Sequence, residues 1–230
     1  MSIITISRGS YSHGFLVAEK LAKKLGYGCI SRDVLIAISK EFNIPEIKLT
    51  RAIRNSPSYF ERYTFAREKY IAFIRTAILE HLSKDNVVYH GFAGHFFVKD
   101  IPHVLKVRII ADMDDRVRCM MEREHVASEE EALKMVEEVD EERRKWSMKF
   151  YGIDTWDCRL YDLVISIERI TVEGAVDIIC NTVKSQPFQT TPESQKLIDK
   201  LALESREKLE EISKPSPFFE PLREKPWGNR

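Results

Sequence analysis

The feature that most constrains this chain is an alternation of short β-branched or apolar runs with longer stretches of helical spacing. Ile3–Ile6 is the first run, Cys29–Ile30 a brief second, and Asn86–Tyr89, Val104–Ile110 and Asp162–Ile167 follow. Asn86–Tyr89 and Val104–Ile110 read as strands buried on both faces, the pattern of a parallel sheet covered by helices. Between the runs, LVAEKLAKKL stops at Gly26, and a helix spans about Asp114 to Arg123. Ser128, with Glu131 three residues on, opens another helix that extends to Phe150, and Thr171 caps one ending at Val183. Such an order predicts an α/β fold, a three-layer parallel sheet with helices on both faces.

With 43% apolar residues in a chain of 230, one full core can be buried. Residues 1–185 make the main domain. Within it, residues 33–83 read as a mostly helical insertion of the kind that caps a site, its last helix carrying Ile71, Ile74, Ile78 and Leu82 at helical spacing. Residues 186–230 change character: TTPESQKLIDKLALESREKLEEIS is a polar amphipathic helix with Pro192 near its start, followed by a proline-punctuated tail. Phe218, Phe219 and Trp227 in that tail are candidates for docking a protein partner or for self-association, beside a packed or disordered terminus.

Lysine plus arginine and aspartate plus glutamate both number 36. No net field therefore recommends nucleic acid or an acidic membrane as partner. The opening MSIITISRGSYS lacks a signal-peptide pattern and no apolar run approaches the ~18 residues of a membrane span, so the expected location is cytoplasmic. Cys29, Cys119, Cys158 and Cys180 are too scattered for a zinc site and read as reduced, mostly buried thiols.

The connection between the first strand and the first helix is Ser7-Arg8-Gly9-Ser10-Tyr11-Ser12-His13-Gly14. A loop that opens a helix after a strand offers unpaired N–H groups and the positive end of the helix dipole to an anion. Gly9 and Gly14 have the spacing of G-x-x-x-x-G, but Phe15 and Leu16 stand where lysine and a hydroxyl residue would meet phosphates and a metal ion. A plain structural turn is the competing reading.

The run ITISRGSYSHG…VAEKLAKKLGY resembles the start of the cytidylate kinase-like family, whose members often lack the standard lysine. The likeness continues through GFAGHFFVKDIPHVLKVRIIADMDDRVRCMMERE, EEALKMVEEVDEERRKW and FYGIDTWDCRLYDLVISIERITVEGAVDII, covering roughly residues 1–184. The resemblance implies a P-loop nucleoside-monophosphate kinase with a helical acceptor-binding insertion and a lid at about 140–160. It also implies ATP and Mg²⁺ as cofactors, and CMP or a related nucleotide as phosphoryl acceptor. The alternative is a nucleotide-binding regulatory protein of the same fold with weak or no catalysis, suggested by Phe15, Leu16 and Phe92 at positions where charged or hydroxyl groups are expected.

Residue by residue, the resemblance places Asp140 and Arg143 on the D-x-x-R of the lid, with Arg144 beside them, as the catalytic candidates. Without it, the run EEVDEERRK reads first as a solvated helix face. Arg8, Gly9, Ser10, Tyr11, Ser12, His13 and Gly14 are the candidate phosphate loop, and Arg116 falls in the stretch that meets the adenine ring. Asp33, as an acceptor-binding carboxylate or a helix cap, and Arg51 and Arg54, as acceptor-phosphate ligands or surface arginines, complete the set. His90 and His95 lack a third ligand for a metal and read as structural, and Asp157, Tyr161 and Asp162 as loop and strand-start hydrogen-bonding residues.

Overall fold

The computed structural model describes residues 1–31, 64–91 and 94–213. Five strands, β1 (Ile3–Arg8), β2 (Gly28–Ile30), β3 (Val87–His90), β4 (Val104–Ala111) and β5 (Leu163–Ile167), form one sheet in the order β2-β3-β1-β4-β5. Every pairing is parallel. Alternate residues of β1 point to opposite faces, and both faces are dry. Ile3, with Val87, Tyr89 and Val104, joins one apolar cluster, while Ile4 and Ile6, with Val88, Leu105, Val107 and Ile109, join the other. Burial on both sides is why these strands carry near-continuous apolar sequence.

One face is covered by α1 (Gly14–Leu25) and α6 (Val172–Val183). Helix α1 turns Val17, Ala18, Leu21 and Ala22 inward and ends at Gly26, whose left-handed conformation (φ 69°) lets its N–H reach the carbonyls of Ala22 and Lys23. Thr171 caps α6 by accepting from Gly174 N–H at 3.1 Å. The other face is covered by α2 (Thr64–Leu82) and α7 (Pro192–Ser213), with the short α3 (Gly94–Phe97) beside them. Helix α2 buries Phe73, Ile74, Ala77, Ile78, Leu79 and Leu82, more than one stripe of its surface. Its second stripe is met by Ile198, Ala202 and Leu209 of α7. The buried Thr76 hydroxyl donates to Ser205 O at 2.9 Å, Gln195 Nε2 donates to Ser83 O at 2.8 Å, and Arg206 pairs with Glu80 at 3.1 Å. The polar helix of the C-terminal region is thus packed into the main core.

Beyond the sheet edge, α4 (Met113–Glu124) and α5 (Glu129–Tyr151) pack through Val117, Met120, Ala132 and Val136. Asp112 caps α4 by accepting from Asp114 N–H at 2.9 Å, and Ser128 caps α5 by accepting from Glu131 N–H at 3.3 Å. Cys119 and Cys180 are buried, but Cys29 and Cys158 are exposed, against the expectation of mostly buried thiols. Cys29 lies on β2, an edge strand of the sheet, and Cys158 in the turn before β5, the other edge strand. Among the described residues no helix is long and apolar enough to cross a membrane.

Because Leu209 is fully buried against α2, Leu209→Ala should lower unfolding free energy by about 2–5 kcal/mol in a urea titration. A loss under about 0.5 kcal/mol, typical of a surface position, would show that α7 does not share the core's stability.

Candidate functional site

In a parallel sheet of this order, ligands are expected at the carboxyl ends of the strands, where the chain leaves β1 and β4 in different directions. At that edge a cleft is lined by Ser7 and Arg8 at the end of β1 and Gly9 after it, Arg108 from β4, Asp140, Arg143 and Ser147 from α5, and Thr155 and Trp156 from the turn beyond α5.

The loop that leaves β1 is held by a carboxylate far along the chain. Asp140 Oδ1 accepts from Ser10 N–H at 2.9 Å and from Ser10 Oγ–H at 2.7 Å, while its Oδ2 pairs with Arg116 Nη2. Arg116 in turn donates from Nε to Ser10 O and from Nη2 to Ser10 Oγ, both at 2.8 Å. Burial pushes the Asp140 pKa upward, but the Ser10 hydrogen bonds and the charge of Arg116 outweigh it and leave the carboxyl below its ordinary range. Ser12 faces inward, donating to Gly9 O at 2.9 Å, with Ile109 O at 3.2 Å.

The left-handed positions of the loop do not fall on its glycines. Tyr11 (φ 56°) and His13 (φ 59°) take them, although a side chain there costs roughly 1–2 kcal/mol. Gly14 is needed for space instead: a Cβ there would lie 2.7 Å from Arg8 Cβ and 2.9 Å from Arg8 Cδ. Helix α1 begins at Gly14 with His13 as its cap residue and no side-chain cap. Among the described residues, no hydrogen bond within the protein uses the amides of Tyr11, Ser12, His13 or Gly14. Those four donors, with the positive end of α1 behind them, suit an anion.

The candidates separate spatially. Arg8, Gly9, Asp140 and Arg143 share the cleft, and Arg116 reaches it through Ser10 and Asp140. Arg143 has no hydrogen bond or ion pair among the described residues; burial lowers its pKa, countered by the nearby charge of Asp140. Arg144 faces elsewhere. Its guanidinium grips Asp154 through Nε at 3.1 Å and Nη2 at 2.7 Å, and lies 4.9 Å from the Trp156 ring centroid. His13 pairs with Asp115 at 2.7 Å, and the Tyr11 hydroxyl donates to Glu124 at 3.0 Å, on the side of α4. Asp33, Arg51, Arg54 and Phe92 lie outside the described residues.

A second polar group in the cleft was not foreseen from sequence. Arg108 is 9% exposed and donates to Ser7 Oγ at 3.2 Å, with its guanidinium carbon 5.6 Å from the Tyr161 ring centroid. The Tyr161 hydroxyl donates to Ser7 Oγ at 3.1 Å or Thr155 O at 3.0 Å, and lies 3.3 Å from His95 Nε2. Burial, together with the charges of Arg108 and Lys106, pushes the His95 pKa down to about 3 and keeps it neutral. A lone arginine inside VLKVRII was the available signal, but nothing in the strand pattern says which way it faces. Asp157 and Asp162 make the hydrogen bonds expected of them, to Arg159 N–H at 3.0 Å and Lys106 N–H at 2.7 Å. Phe15, in place of the expected lysine, packs edge-on against His90.

Parallel strands, a phosphate-sized loop leading into α1 and a cationic cleft at the strand ends define a P-loop kinase fold. The chain is similar in structure to a shikimate kinase from Bacteroides thetaiotaomicron at a TM-score of 0.50 and 13% identity, covering 80% of this chain and 99% of that one. It is also similar to an uncharacterized protein from Eubacterium ventriosum, at a TM-score of 0.61 and 25% identity over 81% of this chain and all of that one (100%). Within that fold class the chain belongs to the cytidylate kinase-like family, whose model matches residues 3–169. It is 33% identical to a cytidylate kinase of Archaeoglobus fulgidus over 189 residues, 79% of this chain and 94% of the relative. Identity to a cytidylate kinase of Sulfolobus acidocaldarius is 26% over 168 residues, 73% of this chain and 86% of the relative.

Since the Asp140 carboxyl is depressed in the folded state, the stability it contributes is present above its unfolded pKa of about 4 and is lost as pH falls through the folded value. Asp140→Asn should be less stable than the parent at neutral pH by about 1–3 kcal/mol, as for lost hydrogen bonds to a charged group, and the gap should narrow as pH falls below about 4. Melting curves across that range check this, and a pH-independent gap would contradict it.

Proposed function

We propose that the chain is an ATP-dependent nucleoside-monophosphate kinase that phosphorylates CMP or a related acceptor. The observation that carries this reading is the cleft at the strand ends, which gathers Arg8, Arg108 and Arg143 where the loop after β1 begins, a loop whose next four amides, Tyr11 to Gly14, have no partner among the described residues. Arg108 and Arg143 have no carboxylate partner among the described residues. Family membership and relatives named cytidylate kinase support the choice of nucleotide substrates.

Phosphoryl transfer requires alignment and charge neutralisation more than covalent chemistry. ATP bound with Mg²⁺ would supply the transferring group and part of that neutralisation. The amides of Tyr11–Gly14 suit its phosphates, and Arg143 suits the charge that develops between donor and acceptor. Asp140 and Arg116 act through Ser10, holding the loop in the shape that leaves its amides free. Arg144, anchored to Asp154, fixes the turn carrying Thr155 and Trp156 and so shapes the far part of the lid proposed at about 140–160. Arg51, Arg54 and Asp33 remain proposed for the acceptor.

No group of three His, Cys, Asp or Glu residues suits a metal among the described residues. The buried Ser12 hydroxyl is committed to backbone carbonyls. No step is therefore assigned to a protein-held metal.

A second reading, a nucleotide-binding regulator with little or no catalysis, is favoured by one observation. Asp140 already occupies the Ser10 amide, a donor that would otherwise face a phosphate, while Phe15 contributes no charge.

A coupled assay with ATP and Mg²⁺ against CMP, dCMP, AMP, GMP and UMP separates the two. Kinase function predicts turnover with at least one acceptor, CMP or dCMP foremost; binding of ATP without turnover on any acceptor favours the regulator. Within the kinase reading, Arg143→Ala should lower kcat about 10²–10³-fold with a much smaller effect on ATP binding. Equal losses in both would reject a role confined to the transition state.

A further inference from the structure

Arg108 is a buried cation with an incomplete set of partners. It sits on β4 between Val107 and Ile109, both 0% exposed, and is itself 9% exposed. No ion pair reaches it among the described residues. Its hydrogen-bond partner is the neutral Ser7 hydroxyl, and the Tyr161 ring lies alongside. Among the described residues, the carboxylates of neighbouring elements are paired elsewhere. Asp140, on α5, pairs with Arg116; Asp162, at the start of β5, pairs with Lys106 at 3.1 Å; Asp154, after α5, pairs with Arg144 at 2.7 Å. His95, on α3, is neutral.

Removing a guanidinium from water without a compensating anion costs several kcal/mol. A fold keeps such a group where a ligand completes its pairing. Ser7 fixes one end of the guanidinium through Nη1, and the residue lines the same cleft as Gly9 and Arg143. Meanwhile the first turn of α1 supplies no cation, since Phe15 packs on His90.

We propose that Arg108 reaches from β4 to supply the cation that the first turn of α1 lacks, forming with Arg143 a two-guanidinium seat for a phosphoryl group of a nucleoside polyphosphate. Arg108 binds the anion directly; Ser7 and Tyr161 are positioning residues that orient it. The inference rests on the nucleotide-site reading above, and deepens it by naming the residue that takes the place of the missing lysine.

The test uses the full chain and three probes: inorganic phosphate, tripolyphosphate, and ATP with Mg²⁺. Calorimetric titration should show that Arg108→Gln weakens tripolyphosphate and ATP binding at least tenfold, that Arg108→Lys loses less, and that Lys134→Gln, at an exposed position on α5, changes neither. Melting without ligand should show Arg108→Gln as stable as the parent or more so, because an uncompensated buried charge is gone. The ligand-induced rise in Tm should shrink in the same variant. A merely structural arginine would do the reverse, lowering Tm and leaving affinity unchanged, and that result overturns the proposal. Should Arg108→Gln fail to fold, Arg108→Lys decides alone: parental affinity for tripolyphosphate and ATP rejects the assignment, and weakened affinity at unchanged Tm supports it. If the parent binds ATP but Arg108→Gln binds it equally, this inference fails while the nucleotide site stands. If the parent binds none of the three probes at millimolar concentration, both fail.

Discussion

The shape of the candidate site depends on one partly buried carboxylate. Asp140 takes both donors of Ser10 and the guanidinium of Arg116, tying α5 and α4 to a loop 130 residues earlier in the chain. Without that tie the loop after β1 would rely on side chains in two left-handed positions, Tyr11 and His13, to keep its course. Each is a conformation that persists only where surrounding contacts over-determine it. Holding the loop this way leaves the amides of Tyr11 to Gly14 without partners. It also uses one donor, that of Ser10, which an anion would otherwise receive.

The charge balance of the cleft follows from the same arrangement. Asp140 is neutralised by Arg116 and does not repel an incoming anion at full strength. Arg108 and Arg143, which have no ion pair among the described residues, then leave the cleft cationic in a chain whose formal net charge is +0. Local charge of this kind, in a site walled by low-dielectric core, attracts phosphates more strongly than the same residues spread over a surface. The lysine expected in the first turn of α1 is absent, and the positive charge comes from the neighbouring strand and from α5.

Much of the fold was legible in the sequence because buried parallel strands write themselves as apolar runs and because helix ends carry caps. β4 and β5 lie within one residue of the expected runs, and Ser128, Thr171 and Gly26 end their helices as their chemistry dictates. The docking of α7 was not legible. An amphipathic pattern gives a helix an apolar face but does not say that α2 will receive it. In the site, the pairing of residues 140 and 143 on one helix could be read, but the tie to Ser10 could not, since no local pattern links positions so far apart. Glycine spacing suggested where the loop would turn, yet the positive φ values fall on Tyr11 and His13, and Gly14 is required by the closeness of the Arg8 side chain. Arg108 was hidden because an isolated arginine in a strand has no periodicity to mark it as inward-facing.

The most direct measurement is a crystal structure of the chain soaked with a non-hydrolysable ATP analogue. A phosphoryl site in the cleft predicts polyphosphate density against the amides of Tyr11 to Gly14, with Arg108 and Arg143 within hydrogen-bonding distance of its oxygens. Density for the analogue elsewhere on the molecule, or a cleft that stays empty at saturating ligand, would contradict it.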